Sequence, residues 1–489
     1  MIPKASAPAK LTKTEYDERV SKLRVDIINA QYDLKSADFP VIIIIVGDDK
    51  VGAAEVVNRL NEWMDSRYMD TVVFGDLTED EAEHPRFWRL WRAIPSKGRA
   101  ALWVGGLISE VTSHLSGERS EAHLFDWARS LRHLQEELVA DGALILKFFI
   151  HTPEAVQKKR MKKAGKDEAW RYSEEDWTMV EDLKSGRAVI EGVLRKTTTA
   201  GAPWHMIDGS KRKDRDLSIA ESISNAITHR LETEPPRMPE APVSAFSQAP
   251  DYLGGVDLSL NTPKPEYKHE LLELQGELHE LADKARKKGV ATVLAFEGWD
   301  AGGKGGAIRR VTQSLEAGDY RVVPVAAPTA HDREYPYLWR FWKDLPRDGY
   351  WTIFDRTWYG RVLVERVEGF ASNAEWQRAY SEIVGFEEQI VSNGSFLAKF
   401  WLHISPEEQL ARFEAREETP YKKHKITDED YRNREKWDEY AVAVNEMIAR
   451  TSSDFAPWSL VPANDKYTAR LTVLREVVDG LKRRLKEKK

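Results

Sequence analysis

Residues 291 to 315 read ATVLAFEGWDAGGKGGAIRRVTQSL, the most informative segment of the chain for its fold. Its first six residues are mainly apolar and typical of a buried strand, whereas its last nine have the composition of a helix. Between them, Gly298, Gly303 and Lys304 have the spacing GxxxxGK. A strand, a glycine-rich turn and a helix around that spacing predict a phosphate-binding loop, the P-loop.

The residue types of this turn suit the binding of a phosphorylated anion. Glycines allow successive backbone N–H groups to point into one concavity, and the helix N-terminus adds positive potential. Lys304 supplies a mobile positive charge for a phosphoryl group in transfer. The glycines for which we predict phosphate contacts are Gly298, Gly302, Gly303, Gly305 and Gly306.

The turn departs from the usual P-loop at one position. A Ser or Thr normally follows the lysine and binds magnesium through its hydroxyl, but Gly305 stands there. The ion must then find other oxygen ligands, and magnesium prefers carboxylates and water. Asp300, inside the turn, is the first candidate.

A second strand supplies another carboxylate. Residues 350 to 361 read YWTIFDRTWYGR, in which an apolar strand ends in Asp355. In a doubly wound sheet this strand end lies beside the P-loop, where a Walker B carboxylate belongs. Arg356 and Arg361 follow and can fork onto phosphate oxygens, although a surface salt bridge is the alternative for Arg361. The predicted catalytic residues are Asp300, Lys304, Asp355 and Arg356, and the predicted metal ligands are Asp300 and Asp355.

The chain contains an internal repeat at a spacing of about 251 residues, which predicts two copies of one fold. EHPRFWRLW at 83–91 lies over EYPYLWRFW at 334–342, with five of nine positions identical. KFFIHTPE, from Lys147, matches KFWLHISPE, from Lys399, and a further APW motif recurs near the end of each copy. Several matches in the same order make chance an inadequate explanation.

The first copy lacks the residues that handle phosphate. VGDDKVGAAEVV replaces EGWDAGGKGGAI, and Asp49 remains opposite Asp300. Four residues of the second copy are replaced in the first: Lys304 by Ala53, Asp355 by Val104, Arg356 by Gly105 and Arg361 by Glu110. Because alanine and glutamate cannot hold a polyanion, we expect an inert copy with a scaffolding, dimerising or regulatory role.

Strands alternate with helices in both halves, which predicts parallel sheets covered on both faces. The fold class is therefore α/β, with two tandem P-loop NTPase-like α/β/α sandwich domains at 1–233 and 266–489. Residues 234–265 carry seven prolines and separate them, as a semi-rigid linker or as an ordered strap. The candidate strands are 41–46, 71–74, 99–104, 143–150 and 204–207, then 291–296, 321–325, 350–354, 399–404 and 458–461.

Composition narrows the class of protein. The 489 residues, 42% hydrophobic and 31% charged, suit two globular domains, and no apolar run approaches the roughly 20 residues of a membrane span. A net charge of −7 argues against bulk nucleic-acid binding. The absence of cysteine excludes disulfides and thiolate metal sites. We expect a cytoplasmic protein that binds neither membranes nor nucleic acids.

A segment of mixed charge at 412–427 reads RFEAREETPYKKHKIT. A solvated helical face is the ordinary interpretation, but Thr419-Pro420 divides the segment as a mobile lid requires. At this segment, at FEGWDAGGKGG (296–306) and at FDRTWYGR (354–361), the chain resembles the polyphosphate kinase 2 family, particularly its tandem two-domain members. The resemblance covers most of the second half well and the first half more weakly.

This resemblance implies three α/β/α layers with a helical lid on the C-terminal domain, and Mg²⁺ (or Mn²⁺) as the cofactor. It implies inorganic polyphosphate and an adenine nucleotide, AMP or ADP, as partners, in a homo-oligomer such as a dimer. Trp299 stands where the family loop often has Arg, and His424 where the lid often has Trp. The resemblance adds lid residues to the predicted phosphate ligands, namely Arg412, Arg416, Lys422 and Lys425.

The expected function is transfer of the terminal phosphoryl group of polyphosphate to AMP, reversibly and without a covalent enzyme intermediate. One alternative is an ATP-dependent P-loop kinase of a nucleotide or another small molecule, against which Gly305 counts. Another is a polyphosphate-dependent ADP or GDP kinase. A non-enzymatic sensor is a third, although binding alone does not require two metal-type carboxylates.

Overall fold

A computed structural model describes residues 12–164, 186–233, 249–419 and 428–487. These residues form two five-stranded sheets in which every strand pair is parallel. The strands of the first sheet are β1 Val41–Gly47, β2 Met69–Phe74, β3 Ala100–Gly105, β4 Leu144–His151 and β5 Trp204–Asp208. Those of the second are β6 Thr292–Gly298, β7 Tyr320–Pro324, β8 Trp351–Asp355, β9 Phe396–His403 and β10 Trp458–Pro462. All ten strands predicted from the sequence are confirmed.

The two sheets have the same topology. The first has the order β2-β3-β1-β4-β5, and the second, read in the same direction, has the order β7-β8-β6-β9-β10. Each strand therefore occupies the same place in its sheet as its counterpart about 251–254 residues away. The predicted tandem α/β fold is confirmed.

Helices alternate with these strands along the chain. The helices before and within the first sheet are α1 Lys13–Leu34, α2 Lys50–Trp63, α3 Glu79–Ala82, α4 Trp88–Arg92, α5 Leu107–Leu115, α6 Glu121–Ala140, α7 Glu154–Ala164, α8 at 186–196 and α9 Arg212–Glu232. Those of the second half are α10 Lys264–Lys287, α11 Lys304–Thr312, α12 Trp339–Trp342, α13 Val364–Val367, α14 Asn373–Ser392, α15 Pro406–Glu417, α16 Asp428–Glu435, α17 Trp437–Thr451 and α18 Lys466–Glu487.

The central strand of each sheet is a continuous apolar run. All seven residues of β1 (VIIIIVG) are buried, and so are the first six of β6. A parallel strand covered on both faces buries side chains of both orientations, so period-two alternation disappears. β6 thus delivers the glycine-rich turn from a rigid, buried position.

Each sheet also buries a lysine at matching positions of β4 and β9. Lys147 donates to Gln135 Oε1 at 2.7 Å and to the Thr197 carbonyl at 2.5 Å. Lys399 instead forms an ion pair with Glu387 at 2.7 Å, with both side chains fully buried. Burial lowers the pKa of Lys147 to about 7.

The chain divides into two compact units, and each includes a short segment from the other repeat. Thr78–Trp91 belongs to the second unit and Ala330–Pro336 to the first. The predicted linker is described only from residue 249, where it contacts the second unit: Leu253 N–H donates to Asn445 at 3.1 Å, and the hydroxyls of Thr262 and Thr468 lie 2.8 Å apart. For residues 249–265, these contacts favour the ordered strap over the semi-rigid linker.

Among the described residues, no helix of at least 18 residues combines the length and the apolar character that crossing a bilayer requires.

Candidate active site

The turn after β6 holds its lysine inward. Gly298 has φ 146°, and a Cβ there would lie 2.6 Å from the Leu402 carbonyl oxygen, so the turn requires glycine. Gly303, with φ 106°, is the N-cap of α11. Lys304 Nζ donates to the Gly298 carbonyl at 2.7 Å and lies 3.3 Å from that of Trp299. The ammonium therefore lies within the turn, at the N-terminus of a helix.

Asp355 ends β8 directly beside the strand that enters this turn. The register pairs Asp355 with Phe296, two residues before Gly298. The N–H of Arg356 donates to the Phe296 carbonyl at 3.0 Å, which extends the ladder by one bond. The structure thus brings Asp355 to the edge of the sheet where the turn begins, as the sequence predicted.

Asp300 connects the turn to three other parts of the site. Its Oδ1 accepts a hydrogen bond from Arg356 at 3.1 Å, and its Oδ2 accepts one from Asn433 of α16 at 2.9 Å. Gln409 of α15 donates to its backbone carbonyl at 3.1 Å. Sequence reasoning missed Asn433 and Gln409, because an isolated amide in a charged helix carries no distinguishing pattern.

A cleft of about 290 Å³ opens beside the turn. Its lining residues are Ala301, Gly302, Gly303, Gly306, Ala307, Arg412, Ala415, Arg416, Lys466, Ala469 and Arg470. Arg416 was predicted, but Lys466 and Arg470 of α18 were not; their i, i+4 spacing places both on one helix face. A Cβ on Gly306 would lie 3.5 Å from the Arg470 guanidinium, so the glycine lets this cation approach α11.

Comparison with known proteins identifies the family of the chain. The model of the family described as "Polyphosphate kinase 2 (PPK2)" matches residues 10–235 and 261–489. The chain belongs to the polyphosphate kinase 2 family. The resemblance read from the three sequence motifs is thereby confirmed, and the family model covers both units.

Some relatives align with nearly the whole chain, and others with part of it. Proteins named polyphosphate:AMP phosphotransferase match at 41% identity in Pseudomonas aeruginosa, over 100% of both chains, and at 36% in Acinetobacter johnsonii, over 94% of this chain and 96% of the relative. A Rhizobium meliloti protein named ADP-polyphosphate phosphotransferase 2 is 40% identical but aligns with only 43% of this chain and 69% of its own. A crystal structure described as polyphosphate kinase 2 from P. aeruginosa matches with a TM-score of 0.90 at 40% identity, covering 100% of each chain.

The contacts of Arg412 favour a role in holding the turn rather than in binding phosphate. Arg412 is buried and donates to the carbonyls of Ala301 at 2.9 Å and Ala463 at 2.6 Å, and it forms an ion pair with Glu408 at 2.6 Å. Arg160 occupies the matching position of the first unit and donates to the Gly209 carbonyl at 2.7 Å. The carbonyl contact is thus present in both units, which favours a structural role for this arginine.

Arg361 is also engaged within the protein. Its guanidinium forms ion pairs with Glu365 at 2.8 Å and Glu375 at 3.3 Å, and its side chain is only 14% exposed. It also lies 4.5 Å from the centroid of the Tyr337 ring. The salt-bridge alternative therefore fits Arg361 better than a phosphate contact does. The predicted lid ligands Lys422 and Lys425 lie outside the described residues.

Trp299, which replaces the arginine common in the family's loop, packs against the protein. Its ring stacks on Trp437 with centroids 3.6 Å apart, and its Nε1 donates to His403 Nδ1 at 3.0 Å. Burial lowers the pKa of His403 to about 4, which keeps that nitrogen a neutral acceptor. The tryptophan thus joins the turn to the start of α17.

In the first unit, an internal ion pair occupies the place of the cleft. Arg215, whose side chain is 0% exposed, lies 2.8 Å from Asp216 and 3.3 Å from Glu55. By the repeat, Asp216 corresponds to Arg470 and Glu55 to Gly306. An acid thus stands where the second unit has the cleft residue Arg470, which supports the prediction of an inert copy.

Proposed function

We propose that this chain transfers the terminal phosphoryl group of inorganic polyphosphate to AMP, giving ADP, and that the second unit performs the reaction. The observation that carries the proposal is the register that sets Asp355 beside the turn containing Asp300 and Lys304. The choice of AMP rests on the full-length relatives, which are named polyphosphate:AMP phosphotransferases.

Within this site, the turn and its lysine hold the phosphoryl group in transfer. Lys304 exchanges its contacts with the Gly298 and Trp299 carbonyls for phosphate oxygens when the donor enters. An oxygen of the AMP phosphate attacks the terminal phosphorus in line, and the bond to the rest of the chain breaks. The polyphosphate leaves one unit shorter, and its new terminal oxygen carries the charge. Catalysis comes from positioning and charge neutralisation.

Two carboxylates suit a hard divalent cation, Mg²⁺ or Mn²⁺. The described residues contain no cluster of three or more carboxylate or imidazole side chains that could hold a metal unaided. Asp300 and Asp355 fit an ion that takes one or two protein carboxylates and completes its shell with water and substrate phosphates. Bound there, it would neutralise the charge of the phosphates. Asp300 would exchange a contact with Arg356 or Asn433 for it.

The cleft beside the turn suits the remainder of the donor chain. Its cationic side chains come from α15 and α18, and its other lining residues are glycines and alanines. None of these lining residues is aromatic, and Arg416, Lys466 and Arg470 can pair with successive phosphates. We therefore place polyphosphate in the cleft and AMP on the opposite side of the transferred group.

The decisive assay supplies long-chain polyphosphate, AMP and Mg²⁺ without ATP and measures ADP. We expect ADP to form. Formation of ATP from ADP but no ADP from AMP would favour the ADP kinase alternative, which the name of the partly aligned R. meliloti relative suggests. Turnover that requires ATP would favour an ordinary P-loop kinase. Binding of polyphosphate without turnover would favour a sensor.

A further inference from the structure

Arg356 adopts a backbone conformation that side chains rarely take. Its φ is 63°, and among the described residues only Ala301 shares a positive φ without being glycine. Both lie at the active site. The left-handed region is unfavourable for a residue with a Cβ, so such a conformation persists only where surrounding contacts impose it.

Those contacts come from Glu297, the last side chain of β6 before Gly298. Glu297 Oε1 accepts the Thr357 N–H at 2.7 Å and the Thr357 hydroxyl at 2.8 Å. Glu297 is 6% exposed and Thr357 is 2% exposed. Two hydrogen bonds to β6 thus fix the backbone around Arg356. Its own N–H donates to the Phe296 carbonyl, and the next N–H along the chain, that of Thr357, donates to Glu297.

The imposed turn directs the arginine. Its guanidinium lies 3.1 Å from Asp300 Oδ1, and the side chain remains 49% exposed at the mouth of the site. Burial raises the pKa of Glu297, and the charges of Lys304 and Arg356 partly oppose that rise. Because Glu297 is buried and its Oε1 is already bonded twice, it is poorly placed to meet substrate directly.

The first unit shows that the fold does not require this glutamate. Gly105, with φ 81°, stands in place of Arg356 and takes the left-handed turn without a Cβ. Val46 replaces Glu297 and Gly106 replaces Thr357, and the Gly106 N–H donates to the Phe74 carbonyl at 3.0 Å instead. The buried acid is present only in the unit that carries an arginine at this turn.

We propose that Glu297 is a positioning residue for the transfer reaction, acting through Thr357 to hold Arg356 in its left-handed turn and aim the guanidinium at the transferred phosphoryl group. The kinetic part of this proposal rests on the function proposed above. The conformational part does not, because it concerns only the turn at Arg356.

The kinetic test is a double-mutant cycle with Glu297→Val and Arg356→Ala, measured with AMP and long-chain polyphosphate. A guanidinium displaced by about 1 Å loses roughly 10²-fold in rate, so Glu297→Val should lower kcat by about that factor with little change in the KM for AMP. In the Arg356→Ala background, Glu297→Val should lower kcat less than about threefold, because the guanidinium that Glu297 positions is already absent. Equal losses in both backgrounds would overturn the proposal.

Glu297→Gln is the matched control, because its amide oxygen can accept both Thr357 bonds without the charge. It should retain most of the wild-type kcat, and a Gln variant as impaired as the Val variant would assign Glu297 an electrostatic role instead. A crystal structure of Glu297→Val supplies a test without activity. We expect Arg356 to leave positive φ or lose its contact with Asp300, and an unchanged turn would overturn the proposal even if the wild-type protein made no ADP.

Discussion

Arg470→Gln tests whether the cleft beside the turn holds the donor chain. Arg470 lies on α18 with its guanidinium against the first turn of α11, and glutamine removes the charge while keeping much of the side chain. A charge-assisted hydrogen bond contributes about 1.5–3 kcal/mol when buried, and partial exposure reduces this to about 1–2 kcal/mol.

At about 1.4 kcal/mol per tenfold, this predicts a KM for long-chain polyphosphate roughly 5- to 30-fold higher. The KM for AMP should not change, and the effect should shrink at high salt, because exposed ion pairs are screened. The assay measures the initial rate of ADP formation, first at varied polyphosphate with saturating AMP and then at varied AMP with saturating polyphosphate.

Arg483→Gln is the matched control: it makes the same charge change on the same helix, at a position outside the cleft. It should leave both KM values as they are. An Arg470→Gln variant that behaves like this control would show that Arg470 does not bind the donor chain. A rise in the KM for AMP alone would place the nucleotide, not the polyphosphate, in the cleft.

Three further predictions concern the lysines of the two units. Lys304→Ala should lower kcat by at least 10²- to 10³-fold, on the scale of losing one preorganised donor, with an unchanged unfolding midpoint; an active variant would discredit the site. Ala53→Lys in the Lys304→Ala background should restore no ADP formation, because Val104 and Gly105 replace the acid and arginine partners; recovered turnover would show that the first unit is not inert. Burial lowers the pKa of Lys147 to about 7, so between pH 7 and about 10 the unfolded chain binds a proton that the folded unit does not, and the free energy of unfolding should rise with pH. Denaturant titrations at pH 7.5 and 9.5 should show a smaller rise for Lys147→Met than for wild type, and equal rises would contradict the assignment.

Much of the fold was predictable because its signals are local. The apolar runs of β1 and β6 are continuous, and the glycine-rich turn carries its spacing within a dozen residues. The repeat supplied a second, independent copy of the strand pattern. The position of Asp355 beside the turn also followed from the strand pattern, because the carboxyl ends of parallel strands meet at one edge of the sheet.

The contacts of the arginines were not predictable in the same way. Arg361 and Arg412 both lie within the sequence motifs. In the structure, however, their guanidinium groups form ion pairs with acids and hydrogen bonds with carbonyls of the protein. Whether an arginine near a P-loop meets substrate depends on which acids and carbonyls surround it. Those neighbours come from other elements, so a linear motif carries no information about them.

Residue patterns along the chain therefore predicted the tandem α/β fold, the glycine-rich turn with Lys304, the candidate carboxylates Asp300 and Asp355, and the replacement of Lys304 and Asp355 in the first half. Each depends on residue types at short, regular spacing. Only the tertiary structure decided that Lys466 and Arg470 line the cleft, that Asn433 donates to Asp300 and that Glu297 holds the turn at Arg356. The reason is physical: these contacts join residues tens to more than a hundred positions apart, and their partners are selected by how strands and helices pack.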